Sequence, residues 1–201
     1  MRRAFITIIA VLVAIGAVAQ KPSAMLDKCV AATNATNGVT ANYTITSNDG
    51  TSKGTIDIQG NRFRILSPEA KCWYDGNTQW SWSPVTGEVN ITSPTADELR
   101  MTNPLAAAQH FKAGFNMKKA KAQTPNTYVI KLTPKKKDNI KVLWLYFDQK
   151  TSLLRTARFE MQDKSVYIIR ITDYKTKAHS PKTFTFDKSL VPAGTQVVDL
   201  R

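Results

Sequence analysis

Few residues in this chain could do bond-making chemistry. It holds two histidines, His110 and His179, and two cysteines, Cys29 and Cys72. A nucleophile with its base, or a metal centre, needs several such groups converging. The cysteine spacing is far from C-x-x-C, and the histidines stand alone. There is no Gly-rich phosphate loop, no G-x-S-x-G and no H-E-x-x-H. His179, within Lys177-Ala178-His179-Ser180-Pro181, reads as a solvated loop residue, and His110 as a surface or lid position in a helical stretch. Asp75, Asp97 and Glu98 read as turn and cap residues. The expectation is a protein that is not an enzyme, with no catalytic residue, no metal and no cofactor.

The aromatic side chains say more. Tyr43, Phe63, Trp73, Trp80, Trp82, Trp144 and Phe147 all fall in stretches that read as strands. Strand aromatics fill a core, or they line an apolar cavity where a sheet curves more widely than its own side chains can fill. Both readings are open at this point.

The elements that must position them begin after an export signal. Arg2 and Arg3 precede an uncharged apolar run, Ala4 to Val18, and Ala17-Val18-Ala19 has the small-x-small form of a cleavage site. The run is shorter than the ~20 residues a membrane-spanning helix needs. Residues 1–19 are therefore expected to be a signal peptide cleaved after Ala19, leaving a single domain over 20–201 that works in the periplasm. No cysteine directly follows the cleavage site, which argues against a lipid anchor there. In an oxidising compartment two cysteines are either bonded or separately buried; a Cys29–Cys72 disulfide tying the first helix to the sheet is the expectation. The net charge of +13 falls to +11 without Arg2 and Arg3. That balance suits an anionic membrane or an acidic partner. Export argues against nucleic acid.

Ser23 to Ala32 reads as a helix with Ser23 as its N-cap. From Val39 the period changes to two: Val39, Ala41, Tyr43 and Ile45, then Ile56 and Ile58, then Phe63 and Ile65. Asn48-Asp49-Gly50, Gln59-Gly60-Asn61, Asp75-Gly76-Asn77 and Pro84 to Gly87 supply the turns of a meander. Thr95-x-x-Glu98 is a capping-box spacing, and Asn103-Pro104 starts a second helix ending at Gly114. Strands resume with Tyr128, Ile130 and Leu132, the apolar run Ile140 to Phe147, a hairpin across Gln162-Asp163-Lys164, and a last strand at Phe184 and Phe186. The pattern predicts a mainly β protein with α: about ten or eleven antiparallel strands in a curved sheet, with helices over one side as a lid.

Asn61 to Thr92 resembles the central signature of the LolA family of periplasmic lipoprotein carriers. The match centres on Trp73-Tyr74-Asp75-Gly76-Asn77-Thr78-Gln79-Trp80-Ser81-Trp82-Ser83-Pro84. Thr102-Asn103-Pro104-Leu105 is similar to the start of the family's lid helix, and Phe184-Thr185-Phe186 with Pro192 to Val197 is similar to its C-terminal end. The resemblance implies an unclosed, half-barrel sheet whose apolar cavity holds the acyl chains of lipoproteins on their way from inner to outer membrane. It implies an inner-membrane lipoprotein-releasing transporter and an outer-membrane acceptor as partners, with the carrier a monomer. The family's transfer arginine, in the loop before the Phe63-type strand, has no counterpart in Ile58-Gln59-Gly60-Asn61; Arg62 and Arg64 come one step later, and that role is not carried over. A sensor or delivery module of the same fold is the second reading, and an enzyme acting on lipids the third. The cavity is expected to be lined by Tyr43, Ile45, Ile56, Ile58, Phe63, Ile65, Trp73, Trp80 and Trp82, and gated by Leu99, Met101, Leu105 and Phe111.

Overall fold

A computed structural model describes residues 20–35, 37–96, 98–99 and 104–201, with side chains from 107 onward in the last of these. The expected signal peptide, Asp97, Met101 and the Leu105 side chain lie outside the described residues. Twelve strands form one sheet: β1 Val39–Ser47, β2 Gly50–Gln59, β3 Arg62–Leu66, β4 Lys71–Tyr74, β5 Gln79–Ser83, β6 Glu88–Thr92, β7 Phe115–Ala120, β8 Thr127–Pro134, β9 Ile140–Asp148, β10 Leu154–Met161, β11 Val166–Thr176 and β12 Gln196–Asp199. Their order is β12-β6-β5-β4-β3-β2-β1-β11-β10-β9-β8-β7. Every pairing is antiparallel except β12 with β6, which is parallel. The sheet is curved and open. A sheet of this width must curl to bury an apolar face.

Among the described residues one long helix precedes the meander, α1 Pro22–Asn34, and another interrupts it, α2 Pro104–Gly114. α1 begins one residue before the expected Ser23 cap: Lys21 is the N-cap, and Pro22 occupies the first turn, where its missing N–H costs nothing. The capping box forms as expected. Glu98 accepts from the Thr95 amide at 2.7 Å, and the Glu98 amide donates to the Thr95 hydroxyl at 3.3 Å.

Two strands were not legible in the alternation. β7 is a Lys-bearing edge strand, with Lys118 and Lys119 exposed, so its apolar pattern is only Phe115 and Met117. β12 replaces the expected strand at Phe184 and Phe186. Those residues lie in and beside two short 3-10 turns, Pro181–Phe184 and Lys188–Leu190, that pack on the sheet instead of pairing with it.

Residues opposite one another in an antiparallel pair share a face, so the register sorts the side chains. On one face Met117, Ile130, Leu145, Ala157, Ile169, Ile45 and their neighbours make a continuous apolar surface from β7 to β1. α1 covers it with Met25 and Leu26, and α2 with Phe111. The same face continues as Ile56 and Ile58, Phe63 and Ile65, then Cys72 and Tyr74, and turns polar at Gln79, Ser81, Asn90 and Thr92. On the opposite face the trend reverses. Trp73, Trp82 and Val89 form a second core there with Val191 and Phe186 of the C-terminal segment. The apolar face thus changes sides at β4, where Trp73 and Tyr74 are both buried.

The C-terminal segment is pinned by a buried polar knot. Asp57 accepts two hydrogen bonds from Arg64, at 2.7 and 2.9 Å, and one from the Thr40 hydroxyl at 2.7 Å. His179 Nε2 lies 3.7 Å from the same carboxylate, with its side chain 2% exposed. The expectation of a solvated His179 is therefore corrected: its ring packs on Phe184 at 5.5 Å and against Gly38. Gly38 has φ +140°, and a Cβ there would sit 2.4 Å from the Lys177 carbonyl oxygen, so only glycine admits the tail.

Candidate functional site

A small cavity opens between the helices and the middle of the sheet. Its walls are Leu26, Cys29, Val30 and Thr33 of α1, Ala108 and Phe111 of α2, and the inward side chains of β1, β2, β9, β10 and β11. Ile58 on β2 and Leu145 on β9 line the same space although β1, β11 and β10 lie between their strands. That convergence requires the helix-covered face to be the concave one. The volume is about 110 Å³. Ligand pockets for drug-sized molecules run to roughly 300–1,000 Å³, so an acyl chain would need the helices to move.

The polar atoms in this wall are few. The Tyr174 hydroxyl donates to the Leu154 carbonyl at 2.6 Å, and burial pushes its pKa up. Burial likewise raises the Cys29 thiol, against a hydrogen bond to the Leu154 backbone. Both groups stay protonated and neutral at physiological pH. The two helices are joined at their surface: Lys112 of α2 pairs with Asp27 of α1 at 2.6 Å, with Asp27 more than half exposed. An exposed pair of this kind contributes at most about 1 kcal/mol.

The expected cavity residues divide into two groups. Ile56 and Ile58 line the cavity directly. Phe63 and Ile65 stand beside them on the same face, in a cluster with Tyr74 onto which Leu99 packs. Tyr43 and Ile45 share that face through their partners Ile171 and Ile169. The Tyr43 ring lies across Gly54, where a Cβ would come within 2.5 Å of its hydroxyl, and reaches Ser67. Trp73, Trp80 and Trp82 are not with them. Their register puts all three on the convex face, and Trp73 stacks edge-on against Phe186 at 5.4 Å beneath the C-terminal segment. Of the expected lid residues, Phe111 lines the cavity and Leu99 packs on the inner face.

Cys29 and Cys72 are free thiols, which corrects the expected disulfide. The helix that carries Cys29 lies over the β7–β11 half of the sheet, and Cys29 packs into that core. Cys72 packs with Ile58, Phe63 and Tyr74. Burial pushes the Cys72 thiol up to about 12. Among the described residues no group of three or more His, Cys, Asp or Glu could hold a metal.

Alternation did not single out Ala41, Leu154, Ile171 and Tyr174 as cavity residues. The signal for Ala41 was its place in the β1 series; the others became neighbours only through the β1–β11 pairing, which joins distant parts of the chain.

A family model for the outer membrane lipoprotein carrier protein LolA matches residues 12–163. The chain belongs to the LolA family. Among solved structures, an uncharacterized conserved protein from Thermus thermophilus superposes with a TM-score of 0.60 at 10% identity, over 87% of this chain and 96% of that one. MucB superposes with a TM-score of 0.50 at 14% identity, over 83% of this chain and 62% of its own. At these identities the likeness shows the fold. A LolA superfamily protein from Nitrosomonas europaea aligns at 13% identity over 81% of this chain and 96% of that one, with a TM-score of 0.43. A comparison with curated protein sequences found no match.

Proposed function

We propose that this LolA-family protein is a periplasmic carrier that shields the acyl chains of lipoproteins between the inner and outer membranes. The observation that supports it most directly is the apolar cavity between a two-helix layer and the concave face of an open sheet. Burying acyl chains is strongly favourable, at ~0.8 kcal/mol per methylene, so they do not cross water unaided. Release is equally necessary. A cavity too small when closed, under helices joined outside by an exposed ion pair, holds cargo only while α1 and α2 are displaced. Cargo then competes with the protein's own helices for the concave face, which limits how tightly it is held. Loading from a lipoprotein-releasing transporter and unloading to an outer-membrane acceptor would both act on that balance.

The test is uptake of a fluorescent acyl probe and of a triacylated lipopeptide by the purified mature protein. Wild type takes up both. Ile58→Glu loses uptake, because a carboxylate in this wall is desolvated without a partner. Ala108→Trp fills the space without adding a charge and also loses it. A folded wild type that takes up neither probe, or an Ala108→Trp variant that binds as well as wild type, overturns the carrier reading.

A further inference from the structure

We propose that the convex face of β8–β11 carries a second binding site, for an extended acidic segment of a partner protein. A recess of about 450 Å³ lies there, on the far side of the sheet from the lipid cavity, between residues 123–127 and β11. Three arginines line it: Arg155, Arg158 and Arg170. Among the described residues the only carboxylate in the wall is Asp148. It accepts from the Lys150 and Thr151 amides at 3.0 and 2.9 Å and pairs with Arg155 at 3.5 Å, so it offsets one of the three arginine charges. Arg158 is braced over the Trp144 ring at 4.9 Å and ion-paired with Glu160, which an incoming carboxylate would have to share, whereas Arg170 is the arginine left to bind. Arg170 is exposed and has no carboxylate partner among the described residues.

These features favour a peptide over a membrane. Guanidinium groups bind carboxylates two bonds at a time, and a braced arginine loses little freedom in doing so. Tyr146 and the Thr156 hydroxyl form the floor between the arginines, the mixture of aromatic and Arg found at protein interfaces. A convex surface meets a flat bilayer over a small area. A flexible chain follows the recess without that restriction. The opposite end of this same convex face is already occupied by the protein's own C-terminal segment. The β8–β11 end has no such cover among the described residues.

The experiment titrates the lipid-free protein with a labelled unstructured peptide of Glu and Ser, with the same peptide carrying Lys for Glu, and with phosphatidylglycerol vesicles. The acidic peptide binds, and its affinity falls as salt rises from low to physiological. Arg170→Glu, at an exposed site with no carboxylate partner among the described residues, weakens it by about tenfold. Arg158→Glu with Arg170→Glu removes measurable binding, whereas Lys136→Glu with Lys137→Glu, an equal charge change in an exposed turn, leaves it within a few-fold. Acyl-probe uptake by Arg170→Glu stays at the wild-type level, which separates this site from the carrier reading. Equal losses from the control pair, peptide binding indifferent to both arginines, or vesicle binding that depends on them without peptide binding each overturn the proposal.

Discussion

The two ends of the sheet are sealed on opposite faces. From β7 to β11 the helices α1 and α2 cover the concave face, and the convex face is left basic and open. From β3 to β6 the C-terminal segment covers the convex face, while the concave face becomes polar toward the edge. The first seal consists of helices resting on side chains, with an exposed Lys112–Asp27 pair at the surface. The second is knotted in, by Asp57, Arg64, Thr40 and the buried His179, and by Phe184 and Trp73, both 0% exposed. The difference separates a part held mainly by side-chain packing from a part held by buried polar contacts. The cavity lies under the first.

The comparison is broken most severely at its rigid end. Trp73→Ala removes a fully buried side chain from the convex core and should cost about 3–5 kcal/mol. Urea unfolding reads the loss. Acyl-probe uptake per folded molecule should not change, since Trp73 faces away from the cavity; loss of uptake in a protein that remains folded would erase the distinction between the ends.

Asp57→Ala comes next. It strands the Arg64 guanidinium and the Thr40 hydroxyl, but Arg64 is a quarter exposed and recovers some hydration. About 1–3 kcal/mol is expected, below the cost of breaking a fully buried pair. Hydrogen exchange should quicken in residues 177–191 and leave α1 and α2 unchanged. Quickening confined to the helices would mean that the tail is not held by this knot.

At the helix-covered end the expected effects on stability are smaller and those on uptake larger. Phe111→Ala takes away a half-buried ring that packs edge-on against Phe115 at 5.4 Å. It should cost about 1–2 kcal/mol, less than a fully buried Phe, and speed probe entry measured by stopped flow. Asp27→Asn should change stability by under about 1 kcal/mol and speed entry modestly. Slower entry in both would show that the helices do not gate.

The smallest effect at neutral pH is that of Cys72. Its folded thiol titrates at about 12, above the ordinary 9.0. Below the ordinary value both folded and unfolded chains hold the proton, and no stability is at stake. As pH rises from there toward the folded value, only the unfolded chain ionises, so stability falls. Cys72→Ala should remove that part of the alkaline loss in denaturant titrations between about pH 9 and 11. An unchanged slope would mean that the thiol is not held in an apolar site.

Much of the fold was legible in the sequence. The hairpin turns, the capping box of Thr95 and Glu98, and the β1–β3 alternation of Val39 to Ile65 are local, and local chemistry decides them. The free thiols were not legible, because bonding depends on distance across the sheet and not on the number of cysteines. His179 was misread because a loop that looks solvated folds onto Asp57, 122 residues earlier in the chain.

What the sequence by itself determined is the sorting of side chains into alternate sets, since a strand's period is two whatever surrounds it. Within a strand that period pairs Trp80 with Trp82, Ile56 with Ile58 and Phe63 with Ile65, but the expectation placed all of these and Trp73 on one wall, and the register puts the tryptophans on the other face. Which set faces the cavity was decided only by tertiary structure. The hairpin register carries each face from strand to strand, the β1–β11 pairing curls the sheet so that β2 and β9 share a cavity, and the tail covers the tryptophans from behind. Alternation has no sign. It is the long-range closure of the chain that gives the sheet an inside and an outside.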